Sequence, residues 1–234
     1  MTLIFLADAH LGAHPGDVET FRNHLERLHD KGMTQLVLLG DIFHYYIGIR
    51  SWQKLFSQEV LEFLAYLKAR GVTIDYLEGN RDFFLRGSSL ARSVTSIHRD
   101  LRIETGNGTI HVEHGDLINR KDRKYRLWRA ISKSWLTRMI MVLVPPSLLR
   151  PLVDRMEKSL KKTNFQYRRQ FPVKELKQFL ADLDHIDLAV IGHFHEEAVI
   201  HGQNRTLLIL PAWEDDHRAL CINTIDDWTW ETGP

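Results

Sequence analysis

Cysteine is almost absent from this 234-residue sequence, which contains only Cys221. A single cysteine cannot form an intramolecular disulfide, and it leaves too few thiolates for a structural zinc site. No leader of the secretory type, with a basic start and an apolar centre, precedes Asp8. We therefore expect a protein of the reducing cytoplasm.

Long apolar runs are also missing. The longest uncharged apolar run in the middle of the chain, residues 139–149, would span only about 16 Å as a helix, against about 30 Å of bilayer hydrocarbon. It also contains Pro145 and Pro146. We expect no transmembrane helix.

Internal repeats and low-complexity tracts are absent as well. With 44% hydrophobic and 26% charged residues, the chain is too apolar to be disordered and long enough to bury a core. We expect one domain over residues 1–234.

The charge is unevenly distributed, although the net charge is only +1. Residues 118–170 contain 15 Lys and Arg and three acidic residues, so this insert carries +12 and the rest of the chain −11. Such a basic insert predicts a polyanionic partner.

Helices and strands alternate in the first part of the sequence. Apolar spacing predicts helices over 17–30, 51–70 and 173–183. Buried strands are predicted at the start of the chain, running into Asp8, and over 35–40, 72–77 and 188–192. This alternation indicates βαβ units. Residues 102–104 and 109–114 flank a turn typical of a hairpin, and 198–200, 206–210 and 219–224 are antiparallel candidates. The sequence predicts an α/β protein, with two sheets packed face to face, helices outside and a helical insertion.

Residues of metal-binding type follow five of the predicted strands. They are Asp8-x-His10, Gly40-Asp41, Gly79-Asn80-Arg81-Asp82, His114-Gly115-Asp116 and Gly192-His193-Phe194-His195. Taken singly, each has an ordinary explanation: Asp8 could cap a helix, Asp41 could follow a tight turn and His114 could be a core histidine. Ligands bind beyond the carboxyl ends of strands in α/β sheets, so the ordered set predicts one site. Its Asp, His and Asn ligands suit a pair of first-row dications.

These five blocks resemble the signature of the calcineurin-like metallophosphoesterases, with Glu113 where a glycine is usual. The resemblance implies an αββα sandwich of two mixed sheets that binds two divalent ions, most simply Mn²⁺. It places one ion on Asp8, His10, Asp41 and His195, and the other on Asp41, Asn80, His114 and His193. Asp41 would bridge the two ions.

Within this superfamily, Arg81 and the insert after Asp116 resemble the UDP-2,3-diacylglucosamine diphosphatases of lipid A synthesis. That resemblance implies hydrolysis of the substrate's pyrophosphate to UMP and 2,3-diacylglucosamine 1-phosphate by a hydroxide that two metals activate. The implied catalytic residues are Asn80, Arg81 and His114. The implied substrate-binding residues are Asn80, Arg81, Asp122, Ser159, Asn164, Arg168 and His193.

The insert also carries an apolar stripe, which predicts one amphipathic helix. Its residues recur at spacings of three and four: Tyr125, Trp128, Ile131, Trp135, Met139 and Val142. We expect a lid that receives acyl chains beside Trp128, Trp135 and Met139, and that binds an anionic inner-membrane surface peripherally. The ordinary alternative is a helix packed on the protein body.

Two other functions use the same features. A nuclease of the superfamily would bind nucleic acid through the basic insert, but single-strand binders interleave exposed aromatics instead of placing them on an aliphatic stripe. We therefore expect no nucleic acid partner. A non-enzymatic scaffold is disfavoured because every metal-ligand position is present.

Overall fold

The computed structural model of the protein describes residues 2–153, 155 and 171–233. The strands are β1 (Leu3–Leu6), β2 (Gln35–Leu38), β3 (Tyr46–Ile47), β4 (Thr73–Leu77), β5 (Asp82–Phe83), β6 (Ser96–His98), β7 (Asp100–Thr105), β8 (Gly108–Glu113), β9 (Leu188–Ile191), β10 (Ala198–His201), β11 (Thr206–Ile209), β12 (Arg218–Thr224) and β13 (Asp227–Thr232). The helices are α1 (Asp17–Asp30), α2 (Leu55–Ala69), α3 (Ser89–Ser93), α4 (Arg123–Ser132), α5 (Trp135–Leu143), α6 (146–153, its described part), α7 (Val173–Asp182) and α8 (Trp213–Asp216).

The strands form two large mixed sheets and one short pair. The six-stranded sheet has the order β13-β12-β1-β2-β4-β6, in which β1, β2, β4 and β6 are parallel. The five-stranded sheet has the order β10-β11-β9-β8-β7, with antiparallel pairs at both edges. The short strands β3 and β5 pair beside them.

Three apolar layers hold the sheets and helices together. Phe5 of the six-stranded sheet and Val190 of the five-stranded sheet belong to the cluster between the sheets. Outside the first sheet, Phe21 of α1 and Leu64 of α2 pack on the strands, and Leu176 of α7 packs outside the second. This arrangement confirms the predicted αββα sandwich.

The described part of the insert, residues 118–153 and 155, forms three helices, so the prediction of one helix for the stripe is wrong. Ser134 adopts an extended conformation between α4 and α5, and its hydroxyl caps α5 by accepting a hydrogen bond from the Thr137 N–H at 3.2 Å. Val144 is also extended because it precedes a proline, and this separates α5 from α6. Among residues 2–153, 155 and 171–233, no helix combines the length and apolar character needed to cross a membrane.

Candidate active site

The predicted site residues lie at the carboxyl ends of central strands in both sheets. Asp8, Asp41 and Asn80 follow β1, β2 and β4 of one sheet, while His114 follows β8 and His193 follows β9 of the other. The sandwich therefore brings five distant segments of sequence to one edge, as the strand-end pattern predicts.

A first group of ligand atoms comes from Asp8, His10 and His195. Asp8 Oδ1 lies 3.4 Å from His195 Nε2, and the Nε2 atoms of His10 and His195 are also 3.4 Å apart. Asp8 Oδ1 is buried without a hydrogen-bond partner in the described part of the chain. A buried carboxylate oxygen facing two imidazoles fits a divalent ion.

A second group lies beside the first and shares Asp8, together with Asp41 and His114. His114 Nε2 is 3.9 Å from Asp41 Oδ2 and 3.1 Å from Asn80 Oδ1. His114 Nδ1 donates to the Leu39 carbonyl at 2.6 Å, which leaves Nε2 to face the cluster. The His193 ring centroid is 5.1 Å from that of His114. The structure thus places all seven predicted metal ligands in or beside these two groups.

The backbone at these positions is strained. Left-handed φ angles occur at Asp8, His10, Asp41, His193 and His195, where non-glycine residues are uncommon. Gly79 has to be glycine, because a Cβ atom there would lie 2.2 Å from Asp41 Oδ1. Such strain is typical of functional sites.

Buried charge dominates the electrostatics. Burial would raise the pKa of Asp8, but the imidazole of His195 holds this pKa well below its ordinary value. Burial raises the pKa of Asp41, and burial together with the Asp41 charge raises that of Asp82 to about 7. Carboxylates this crowded and buried require nearby cations. The donor set and the charge therefore both fit divalent metal ions.

Arg81 connects this cluster to an apolar cavity. Its backbone N–H donates to Asp41 Oδ1 at 2.7 Å, and its side chain donates to the His44 carbonyl at 3.1 Å. The cavity has a volume of about 270 Å³. Its lining consists of Tyr45, Ile47, Arg81, Phe83, Trp128, Ile131, Ser132, Thr137, Ile140, Met141, Leu149, Leu152 and Val153.

The predicted lining of this cavity is only partly correct. Trp128 lines it, whereas Trp135 and Met139 do not and are exposed. Because α4 and α5 are separate helices, the second half of the stripe turns away from the cavity, and Ile140 and Met141 take its place. The ordinary alternative, a helix packed on the protein body, therefore describes only the first part of the stripe, which includes Trp128.

The substrate-binding residues predicted on the insert are placed unevenly. Asp122 caps α4, where its Oδ1 accepts a hydrogen bond from the Tyr125 N–H at 2.9 Å. Ser159, Asn164 and Arg168 lie outside the described residues.

Glu214 belongs to the site but does not appear in the strand-end pattern. Its Oε1 lies 3.8 Å from both His10 Nε2 and His195 Nδ1. Glu214 lies in the short helix α8, directly after the buried Trp213. No local motif marks it, because backbone hydrogen bonds from Trp213 and Glu214 to the carbonyls of Ala7 and Asp8, far away in sequence, bring it to the histidines.

Comparison with known proteins agrees with this geometry. The family described as Calcineurin-like phosphoesterase matches residues 1–197. This match covers all five strand-end blocks and more than half of the chain. The chain belongs to this family. As a calcineurin-like phosphoesterase it is a metal-dependent hydrolase, which confirms the predicted enzyme class.

Several curated proteins resemble this calcineurin-like phosphoesterase over nearly its whole length. A protein of Sodalis glossinidius named UDP-2,3-diacylglucosamine hydrolase is 26% identical, with 96% of this chain and 95% of that protein covered. A protein of the same name from Proteus mirabilis is 26% identical, with 92% of each chain covered. A solved archaeal phosphodiesterase has a TM-score of 0.53 at 12% identity, with 99% of each chain covered, and it supports the fold.

Proposed function

We propose that the protein hydrolyses the pyrophosphate of UDP-2,3-diacylglucosamine to UMP and 2,3-diacylglucosamine 1-phosphate. The name shared by relatives at about a quarter identity supports this substrate. The observation that carries the proposal is the position of Arg81, which contacts Asp41 in the metal cluster and also lines the apolar cavity. A phosphate next to the cluster and an acyl chain in the cavity can thus belong to one molecule.

The proposed metal ligands are those of the two groups. One ion would be held by Asp8, His10, Asp41 and His195, and the other by Asp41, Asn80, His114 and His193, with Mn²⁺ as the proposed metal. When bound, two such ions supply Lewis acidity and lower the pKa of a coordinated water.

The chain's own residues bind and orient the substrate. The Arg81 guanidinium presents donors in a planar fork that matches phosphate oxygens. It is buried, so its interaction with developing negative charge is weakly screened. We propose that Asn80 and His114 fix the position of the phosphate, and that His193, Asp122, Ser159, Asn164 and Arg168 contact the substrate.

A substrate panel tests the activity. We expect selective turnover of UDP-2,3-diacylglucosamine over an unacylated UDP-sugar, single-stranded DNA and bis-p-nitrophenyl phosphate. The unacylated sugar is the matched control, because it keeps the pyrophosphate and removes only the groups that fit the cavity. Preference for DNA would favour the nuclease alternative and contradict the proposal.

Isotope labelling tests the orientation of the substrate. Acyl chains beside Trp128 place the sugar phosphate on the insert side, so the phosphorus attached to uridine would be the one attacked. After a single turnover in ¹⁸O-labelled water, mass spectrometry should find the label in UMP. Label only in the lipid product would reverse the proposed orientation.

We further propose that the insert binds an anionic inner-membrane surface, which places the enzyme peripherally on the cytoplasmic side. Several apolar side chains of α5 and α6 are exposed: Trp135, Leu136, Ile140, Leu143, Leu148 and Leu152. Arg120 and Lys121 pair with Asp182 and Glu175 of α7. This pairing leaves Arg123 and Lys124, both exposed, as better candidates for lipid contact.

A further inference from the structure

One face of α4 carries polar side chains that contact the loops beside the metal cluster. Tyr125, Arg129 and Lys133 are spaced by four residues, so they share one side of the helix and its C-terminal cap. Trp128 and Ile131 line the cavity on another side. The helix therefore faces two different environments.

The first polar contact reaches the loop after β8. Asp116 Oδ2 accepts hydrogen bonds from the Tyr125 hydroxyl at 2.5 Å and from Arg129 Nε at 2.6 Å. Asp116 lies two residues after His114 in sequence. The loop that presents His114 is thus held directly by α4.

The second polar contact reaches the loop after β4. Lys133 Nζ donates to Glu78 Oε1 and to the Gly79 carbonyl, both at 2.6 Å. A second nitrogen of Arg129 lies 3.7 Å from the same Glu78 oxygen. The peptide unit that Lys133 holds joins Gly79 directly to Asn80.

These contacts join loops from two different sheets. Asn80 follows a strand of the six-stranded sheet and His114 a strand of the five-stranded sheet, and only 3.1 Å separates Asn80 Oδ1 from His114 Nε2. The side chains of Arg129 and Lys133 are 12% and 11% exposed, so their ion pairs are weakly screened by solvent. Removing one partner would leave a buried charge uncompensated.

We propose that Arg129 and Lys133 are positioning residues that fix the spacing between Asn80 and His114. The insert helix thereby supports the second metal group while its other side forms the wall of the cavity. The hydrogen bonds and ion pairs of these two side chains given above end on the loops that carry Asn80 and His114. This inference rests on the proposed function only in assuming that a second ion binds.

Metal titration tests the proposal without using activity. Mn²⁺ is added to the metal-free full-length protein, and bound ions are counted by electron paramagnetic resonance of the free ion. For Lys133→Met we expect the affinity of the second ion to fall 10- to 100-fold while that of the first is kept, as is usual when a group that orients a ligand is removed. Lys133→Arg keeps the charge and the donors, and should restore most of the affinity.

Arg126→Met is the matched control, because it also replaces a cation by Met, on the exposed side of α4, and should bind both ions as the wild type does. If Lys133→Met fails to fold, the same titration is done with Arg129→Lys. A single ammonium cannot contact both Asp116 and Glu78, so the affinity of the second ion should again fall while that of the first is kept. Equal weakening of both ions, or no weakening, overturns the proposal. A wild-type protein that binds only one ion contradicts the two-ion function instead, and with it the premise that Arg129 and Lys133 support a second ion.

Discussion

The buried carboxylate of Asp41 destabilises the folded protein when no metal ion is bound. Burial raises the pKa of the Asp41 carboxyl and the nearby Asp8 charge raises it further, while the Asp41 charge adds to the effect of burial on the pKa of Asp82. The buried charge of Asp41 is therefore unfavourable in the metal-free protein, and a divalent ion would offset it.

Asp41→Asn should consequently separate stability from activity. Asn keeps an oxygen that can accept the Arg81 N–H but removes one buried charge. We expect kcat to fall at least about 100-fold, in the range of losses seen when catalytic electrostatics are removed. The free energy of unfolding of the metal-free protein should rise, because the variant removes a charge whose burial raises the pKa of Asp41.

Urea unfolding with and without chelator measures the stability, and steady-state turnover measures the activity. His114→Ala should also lose turnover and keep the fold. If either variant retained more than a tenth of the wild-type kcat at full metal content, the assignment of these residues would be wrong.

Glu214 supports a second prediction for single residues. A carboxylate beside a metal-binding imidazole orients the ring and increases its basicity. Glu214→Gln should therefore weaken binding of the first Mn²⁺ about tenfold. Asp215→Asn removes the same charge from an exposed neighbour and should leave the dissociation constant unchanged, as measured by calorimetry. Equal affinity in both variants would contradict a role for Glu214.

At the level of elements, the exposed apolar side chains of α5 lead to a prediction about membrane binding. Trp135 and Leu143 are 72% and 74% exposed. Replacing both by Ser should reduce cosedimentation with anionic vesicles, because burial of apolar area contributes about 25 cal/mol per Å². Leu55→Ser is the matched control, since Leu55 is 84% exposed but lies on α2.

Replacing Arg123 and Lys124 by Ser should lower vesicle binding most at low salt, because exposed charges are screened over about 8 Å at physiological ionic strength. Turnover of a detergent-solubilised substrate should change less. Unchanged vesicle binding in both double variants would remove the membrane proposal and leave the exposed stripe unexplained.

Local patterns predicted some elements well and others poorly. Helix α1 and the β7–β8 hairpin match their predicted positions, because apolar spacing and a glycine turn specify them locally. The predicted helix over 51–70 begins only at Leu55, after an extended Lys54. Strand β13 was not predicted, since its alternation is partial and it lies at the edge of the sheet.

The same distinction applies to the candidate site. The strand-end residues could be predicted because each follows its own apolar strand in sequence. Glu214 and the contacts of Arg129 and Lys133 could not, because they depend on how a helix packs against loops far away in the chain. The break at Ser134 was missed because the apolar spacing continues across it.

At the scale of the whole molecule, stability depends on His24, which is buried between α1 and α8. Its Nδ1 accepts a hydrogen bond from the Trp213 indole at 2.9 Å. Burial, followed by the charge of Arg27, lowers its pKa from 6.5 to about 4. The unfolded chain therefore binds the proton more tightly than the folded protein does.

Stability from His24 is accordingly complete above pH 6.5 and is lost as the pH falls towards 4. Between pH 7.5 and 5 we expect a loss of about 2 kcal/mol. His24→Asn offers an acceptor near the position of Nδ1 but does not titrate. Urea unfolding at both pH values should show a smaller loss in this variant, whereas an identical loss would contradict the assignment to His24.

The position of β1 has a consequence for synthesis of the protein. This strand pairs with β2 on one side and with β12 on the other, where Leu3 lies opposite Ile222. At about 5–20 residues per second, a ribosome needs on the order of ten to forty seconds to add the second partner. During that time β1 is an unpaired apolar edge, which is a template for aggregation. The nascent chain therefore exposes this edge until β12 has emerged.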